Sequence, residues 1–203
     1  MNKKLFIYGA VILAIICSYF IFKPNNKVTN YPSKGTDIVA FGDSLVQGVG
    51  ATSGNDFVSN LSRRIGRPIV NLGVSGNTTR DGINRLYELD KYNPKVVILL
   101  LGGNDYLKKV PKEETFNNLQ TIIDNIHKRG SVVLLLGVRG GLLVDNFKDD
   151  FKKISEKNYT AFVSNVLDNL IGNNELMSDA IHPNDRGYKI ISDRVYAVLK
   201  DLI

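Results

Sequence analysis

Short apolar runs and amphipathic stretches alternate along most of this chain. Residues 37–41 (DIVAF), 68–72 (PIVNL), 95–101 (KVVILLL) and 131–138 (SVVLLLGV) are β-branched or leucine-rich and bounded by turn residues. Their hydrophobicity is continuous rather than alternating, which predicts strands buried on both faces, as in a parallel sheet. Residues 159–163 (YTAFV) suit a fifth strand, although a helix fits them as well. Between the strands, helical spacing covers residues 56–65, 79–89, 112–128, 146–156 and 184–202. In 112–128, Phe116, Leu119, Ile122, Ile123 and Ile126 share one face. In the last, Tyr188, Ile191, Val195, Val198, Leu199 and Leu202 do. This β-α-β alternation predicts a three-layer α/β/α sandwich with a mostly parallel central sheet.

Residues 5–22 differ in kind: 18 positions without a charge or a proline, preceded by Lys3 and Lys4 and closed by Lys23 and Pro24. A helix of that length spans about 27 Å, close to the roughly 30 Å hydrocarbon core of a bilayer. The run ends in bulky residues (CSYFIF), where a signal peptidase needs small ones. Residues 1–22 therefore read as an uncleaved transmembrane anchor, with a cleaved signal and secretion as the alternative. Lys3, Lys4 and the amino terminus favour a cytoplasmic N-terminus and an extracytoplasmic domain. Residues 23–35 read as a polar tether and residues 36–203 as one domain.

Charge and composition remove some function classes. Of the 26 basic residues five lie in residues 1–35, which hold no acid, leaving 21 against 20 acidic ones in the body. The excess that drives phosphate binding is missing there, so no nucleic-acid partner is expected. Cys17 is the single cysteine and lies in the apolar run, so the domain has no internal disulfide. No His, Cys and carboxylate cluster has metal-ligand spacing, and Gly102-Gly103 and Gly140-Gly141 lack phosphate-loop spacing. Neither a metal nor another cofactor is implied.

In such sandwiches sites form beyond the carboxyl ends of the strands. Gly42-Asp43-Ser44-Leu45 follows the first strand, the segment containing Gly76-Asn77 the second, and Gly102-Gly103-Asn104-Asp105 the third. Asp179-Ala180-Ile181-His182-Pro183 precedes the last helix. These four blocks, in this order, resemble the GDSL, or SGNH, hydrolase family, and the resemblance covers residues 36–203. Within that family the chain is most similar to the small bacterial arylesterase, thioesterase and lysophospholipase group. The resemblance implies the flavodoxin-like form of the sandwich.

A serine hydroxyl becomes a nucleophile only with a general base in reach and a third group orienting that base. The chain has two histidines. His127 lies at the end of an amphipathic helix, where a cation suits the helix dipole and the role is structural. His182 is left as the base for Ser44, 138 positions away, with Asp179 as its orienting carboxylate. By resemblance, the oxyanion donors are the backbone N–H groups of Ser44 and Gly76 and the side-chain amide of Asn104. Asp43, Asp105 and Asn77 are expected to hold their loops.

The function expected is a serine esterase working through an acyl-enzyme, on lysophospholipid, other lipid, aryl or thio esters. An O-acetyl esterase of envelope carbohydrate is the alternative within enzymes. A catalytically silent binding domain and a flavin-binding protein are alternatives from other classes. Residues 139–144 are expected to shape the acyl pocket. A small-molecule or lipid ester is the partner expected, together with the membrane through the N-terminal helix. The sequence leaves the assembly open, with a monomer as the working expectation.

Overall fold

The computed structural model describes residues 28–138 and 147–203. Both the proposed anchor, residues 1–22, and the segment 139–144 fall outside the described residues. Five strands, β1 (Asp37–Gly42), β2 (Ile69–Gly73), β3 (Pro94–Leu100), β4 (Val132–Leu136) and β5 (Ala161–Val163), form one sheet in the order β2-β1-β3-β4-β5. All four pairings are parallel. The runs DIVAF, KVVILLL and SVVLLLGV supply β1, β3 and β4, whose apolar residues are at most 1% exposed from Ile38 to Phe41, Val96 to Leu100 and Val132 to Leu136. Such burial requires helices on both faces.

Those helices are α1 (Ser44–Gln47), α2 (Phe57–Ile65), α3 (Thr79–Asn84), α4 (Gly103–Leu107), α5 (Lys112–Lys128), α6 (Lys148–Asn158) and α7 (Asp185–Leu199). Helix α2 packs on α7, while α5 packs on both α3 and α6. Asp56 caps α2 by accepting from the Ser59 N–H at 2.9 Å, and Gly66 ends it at φ +64°. The α5 boundaries match the expected 112–128.

The expected helix 79–89 is broken. It turns at Arg85 (φ −117°, ψ 17°) into a 3₁₀ segment, Leu86–Lys91. Periodicity registers the inward face of that stretch but not this change of winding. The last helix ends at Leu199 rather than 202, yet Leu202 remains buried. Its apolar contact therefore outlasts the helical backbone.

Chain order reverses at β1, with β2 on one side and β3 on the other. A crevice opens at the carboxyl ends of strands flanking such a reversal. Residues 28–35, read from sequence as part of a tether, lie against the opposite end of the sheet. The Thr29 N–H donates to Tyr159 O at 2.9 Å, Asn30 Nδ2 to His127 O at 2.8 Å and to Ser131 O at 3.1 Å, and Ser33 Oγ to Gly130 O at 2.8 Å. These acceptors sit where α5 and α6 end and β4 and β5 begin. Among the described residues no helix is long and apolar enough to cross a membrane.

Candidate active site

Strand β1 delivers Ser44 to the crevice. Gly42 is required at its end, because a Cβ there would lie 2.3 Å from Leu100 O and 2.4 Å from Val46 Cγ2. The Asp43 carboxylate then caps α1, accepting from the Leu45 N–H at 3.0 Å. Ser44 becomes the first residue of α1, 7% exposed.

The His182 loop is built by a local turn. Asp179 Oδ1 accepts from the N–H groups of Ile181 and His182 at 2.8 and 2.7 Å. Its other oxygen, Oδ2, lies 2.7 Å from His182 Nδ1. On the far side of the ring, His182 Nε2 lies 3.0 Å from Ser44 Oγ. Partial burial works against ionisation of Asp179, but the hydrogen bonds from the His182 ring, the Ile181 N–H and the His182 N–H outweigh it and bring the carboxyl down to about 2. Facing an ionised carboxylate, Nδ1 carries the proton of the neutral ring, which leaves the Nε2 lone pair for the Ser44 hydroxyl.

A second set of contacts joins the two loops. The Tyr188 hydroxyl donates to Val49 O at 2.7 Å. Asp185 accepts from the Thr52 N–H at 2.7 Å, the Thr52 hydroxyl at 2.6 Å and Asn55 Nδ2 at 3.0 Å. Gly50 sits between them at φ +95°, where a Cβ would lie 2.5 Å from Pro183 O and 3.2 Å from His182 Cβ. The loop after the serine is thus packed directly on the loop that bears the histidine. Of the residues in these contacts only His182 and Pro183 belong to the four blocks.

Asn104, on α4, lines the same cleft as Ser44 and His182. One N–H of its amide donates to Asn77 O at 3.0 Å, leaving the second for a ligand. Gly76, at φ +80°, stands in the loop after β2 and does not line the apolar cavity, although Asn77 beside it accepts from Asn104. Lys108 Nζ donates to Gly76 O at 2.8 Å, and the Ser75 N–H donates to Gln47 Oε1 at 2.8 Å, so this loop is tied to both α4 and α1. Asp105, fully buried, accepts from the Thr79 N–H at 2.8 Å and so holds α4 to α3. The cleft is a cavity of about 300 Å³ whose walls include Leu45, Tyr106, Leu107, Val138, Leu167 and Ile171. Leu167 and Ile171 come from a stretch, 164–176, without a periodic pattern that would flag them.

Asp43 is 3% exposed, and burial pushes its carboxyl up to about 7. Hydrogen bonds from the Leu45 N–H and its own N–H resist that shift, the Asp105 carboxylate adds to it and Arg85 opposes it. Between its ordinary value of 3.8 and about 7 the folded protein keeps a proton that the unfolded chain has released. This group therefore lowers stability as pH rises through that window, and its effect levels off above it. Asp43→Asn retains an acceptor for Leu45 and has no proton to lose. Its Tm difference between about pH 5 and pH 8 is expected to be narrower than the parent's by at least about 2 °C, the worth of 1 kcal/mol in a domain of this size. Equal shifts in thermal melts of the two proteins would contradict this.

A hydroxyl, an imidazole and an ionised carboxylate in hydrogen-bonded line, beside a free amide N–H, is the arrangement that acyl transfer through serine requires. Comparison with known proteins places the chain among ester hydrolases. The model of the GDSL-like lipase/acylhydrolase family matches residues 40–190, and the chain belongs to that family of ester hydrolases. It is 27% identical over 178 residues to the esterase TesA of Pseudomonas aeruginosa, covering 82% of this chain and 89% of that one. An arylesterase of Vibrio mimicus is 30% identical over 134 residues, 63% of this chain and 67% of its own length. A crystal structure of TesA superposes with a TM-score of 0.74 at 26% identity, covering 83% of this chain and all of that one.

Proposed function

We propose that this chain is a serine esterase that hydrolyses carboxylic esters of medium or longer acyl chains through an acyl-enzyme. The observation that carries the reading is Ser44 Oγ, 3.0 Å from His182 Nε2, at the wall of an apolar cavity of about 300 Å³. As Ser44 Oγ bonds to the ester carbonyl carbon, its proton passes to Nε2. The oxyanion takes hydrogen bonds from the Ser44 and Gly76 N–H groups and the Asn104 amide. The imidazolium, stabilised by Asp179, then protonates the departing alcohol and leaves the acyl group on Ser44. Water, losing its proton to Nε2, attacks the acyl-enzyme. The carboxylic acid leaves and Ser44 regains its proton.

The cavity argues for the acyl side of the substrate. At roughly 30 Å³ for a group the size of a water molecule or a methylene, it holds on the order of ten such groups. An acetyl group would leave its leucine and isoleucine walls facing water, whereas burying an alkyl chain contributes about 0.8 kcal/mol per CH₂. Hydrolysis of p-nitrophenyl esters from acetyl to palmitoyl by the full chain tests this. kcat/KM is expected to rise at least tenfold from acetyl to octanoyl. Activity confined to acetyl esters would instead support deacetylation of envelope carbohydrate.

The same reading takes residues 1–22 as a membrane anchor, 23–35 as the link and 36–203 as the hydrolase domain, outside the cytoplasm. The contacts of residues 28–35 lie at the end of the sheet opposite Ser44. The five residues 23–27 reach at most about 18 Å. Strand β3 alone, seven residues, rises about 23 Å. An anchored domain would thus turn its cleft away from the bilayer that holds it, toward esters arriving through water. In fractionation of the producing cells, the full chain is expected to sediment with membranes, resist high salt and be released by detergent. Recovery from the medium or the salt wash would favour the secreted alternative.

A further inference from the structure

Arg85 stands at the turn between α3 and the 3₁₀ segment and is only 8% exposed. Four of its N–H groups are engaged. Nε donates to Asn77 Oδ1 at 2.7 Å, Nη1 to Leu72 O at 2.8 Å and to Glu88 Oε2 at 3.0 Å, and Nη2 to Gly42 O at 2.6 Å. Its guanidinium carbon lies 4.1 Å from the centroid of the Phe41 ring. Burying a guanidinium is costly unless its donors are met. Here two are met by the carbonyls that end β1 and β2, the strands leading to Ser44 and to Gly76. Asn77 is the remaining link, since its own carbonyl accepts from Asn104 Nδ2 at 3.0 Å.

We propose that Arg85 is a positioning residue for the oxyanion-binding donors. Through Asn77 it sets the Gly76 N–H and the Asn104 amide, and through Gly42 it holds the strand end that carries Ser44. The inference rests on Gly76 and Asn104 being oxyanion donors. Arg85 touches none of the reacting atoms, and its planar fork holds three segments at once, which a lysine ammonium on a flexible stem does not do. Donors displaced by a fraction of an ångström lose most where charge develops, in the transition state, and little in substrate binding.

The test uses the full chain and a p-nitrophenyl ester, with Arg85→Lys and Asn77→Ala each made alone and in an Asn104→Ala background. Asn77→Ala leaves the bonds of Arg85 to both strand ends and to Glu88, so it serves if Arg85→Lys fails to fold. Each variant alone is expected to lower kcat about 10- to 100-fold with KM within about twofold, less than the roughly 100- to 1,000-fold typical of deleting an oxyanion donor. In the Asn104→Ala background the same changes are expected to cost clearly less, because one of the groups they position is gone. Equal factors in both backgrounds, or a change in KM alone, would overturn the proposal and leave Arg85 a structural residue. An unchanged kcat in Asn104→Ala itself would instead remove the oxyanion assignment beneath it.

Discussion

Ser44→Ala is expected to lower kcat for ester hydrolysis by about 10⁴- to 10⁶-fold, while the protein folds as before. The loss is large because, among the described residues, no hydroxyl other than that of Ser44, at 3.0 Å, bonds to His182 Nε2, so the acyl-enzyme route closes altogether. Stability is spared because the backbone turn around Ser44 is held by the Asp43 carboxylate, the Gly42 approach to Leu100 and the N–H of Gly48 on Ser44 O, none of which uses the hydroxyl. Rates over a series of esters, with a thermal melt beside them, provide the check. A residual rate within tenfold of the parent on every ester would mean that another nucleophile is at work, and the acyl-enzyme reading would fall.

The second large effect is expected from Asp179→Asn, a loss of about 10²- to 10⁴-fold in kcat with little change in KM. The substitution keeps the acceptor for the Ile181 and His182 N–H groups, so the turn persists. With that orientation retained, an NH₂ donor comes to face His182 Nδ1. Nδ1 must then accept, the ring proton moves to Nε2, and the base presents a proton to Ser44 where it should present a lone pair. The lower end of the range reflects exposure. The Asp179 side chain is 53% exposed, so water partly relieves the mismatch, whereas His182 is 14% exposed. Ser44→Ala combined with Asp179→Asn is expected to be no slower than Ser44→Ala alone, since the two residues act on one step. A further loss of tenfold or more in the double variant would assign Asp179 a separate role. With its carboxyl at about 2, Asp179 stays ionised across the working pH range. The stability that this ionisation contributes is fully present above the ordinary value of 3.8 and is lost progressively as pH falls from there through about 2.

The strands were legible where apolar runs were continuous. Burial on both faces demands such runs, and β1, β3 and β4 lie where DIVAF, KVVILLL and SVVLLLGV stand. Helix α5 was legible because 17 residues hold almost five turns of its period. The four- and five-residue helices α1 and α4 are too short to carry a period, though they present Ser44 and Asn104. Arg85 left a weak trace. Gly82, Leu86 and Leu89 mark the buried side of the 79–89 stretch, and position 85 falls on that side. A charge there reads as an irregularity until the strand-end carbonyls that receive it are known, and those lie 13 and 43 positions away.

By itself the sequence determined the layered α/β architecture, the rim on which chemistry had to lie, and, through the resemblance of its four blocks and the scarcity of histidine, the candidate pair Ser44 and His182. Local polarity decides these things, because each strand or helix must bury its apolar side and each turn must satisfy its own backbone. Only the tertiary structure decided that Ser44 and His182 meet at 3.0 Å, that residues from 43 to 182 line one largely apolar cleft, that Asp43 holds its proton to about 7, and that residues 28–35 bind the pole opposite the cleft. Distances between residues far apart in the chain, and the water left around a buried carboxyl, follow from how whole layers pack and where loops close. No local pattern of polar and apolar residues records them.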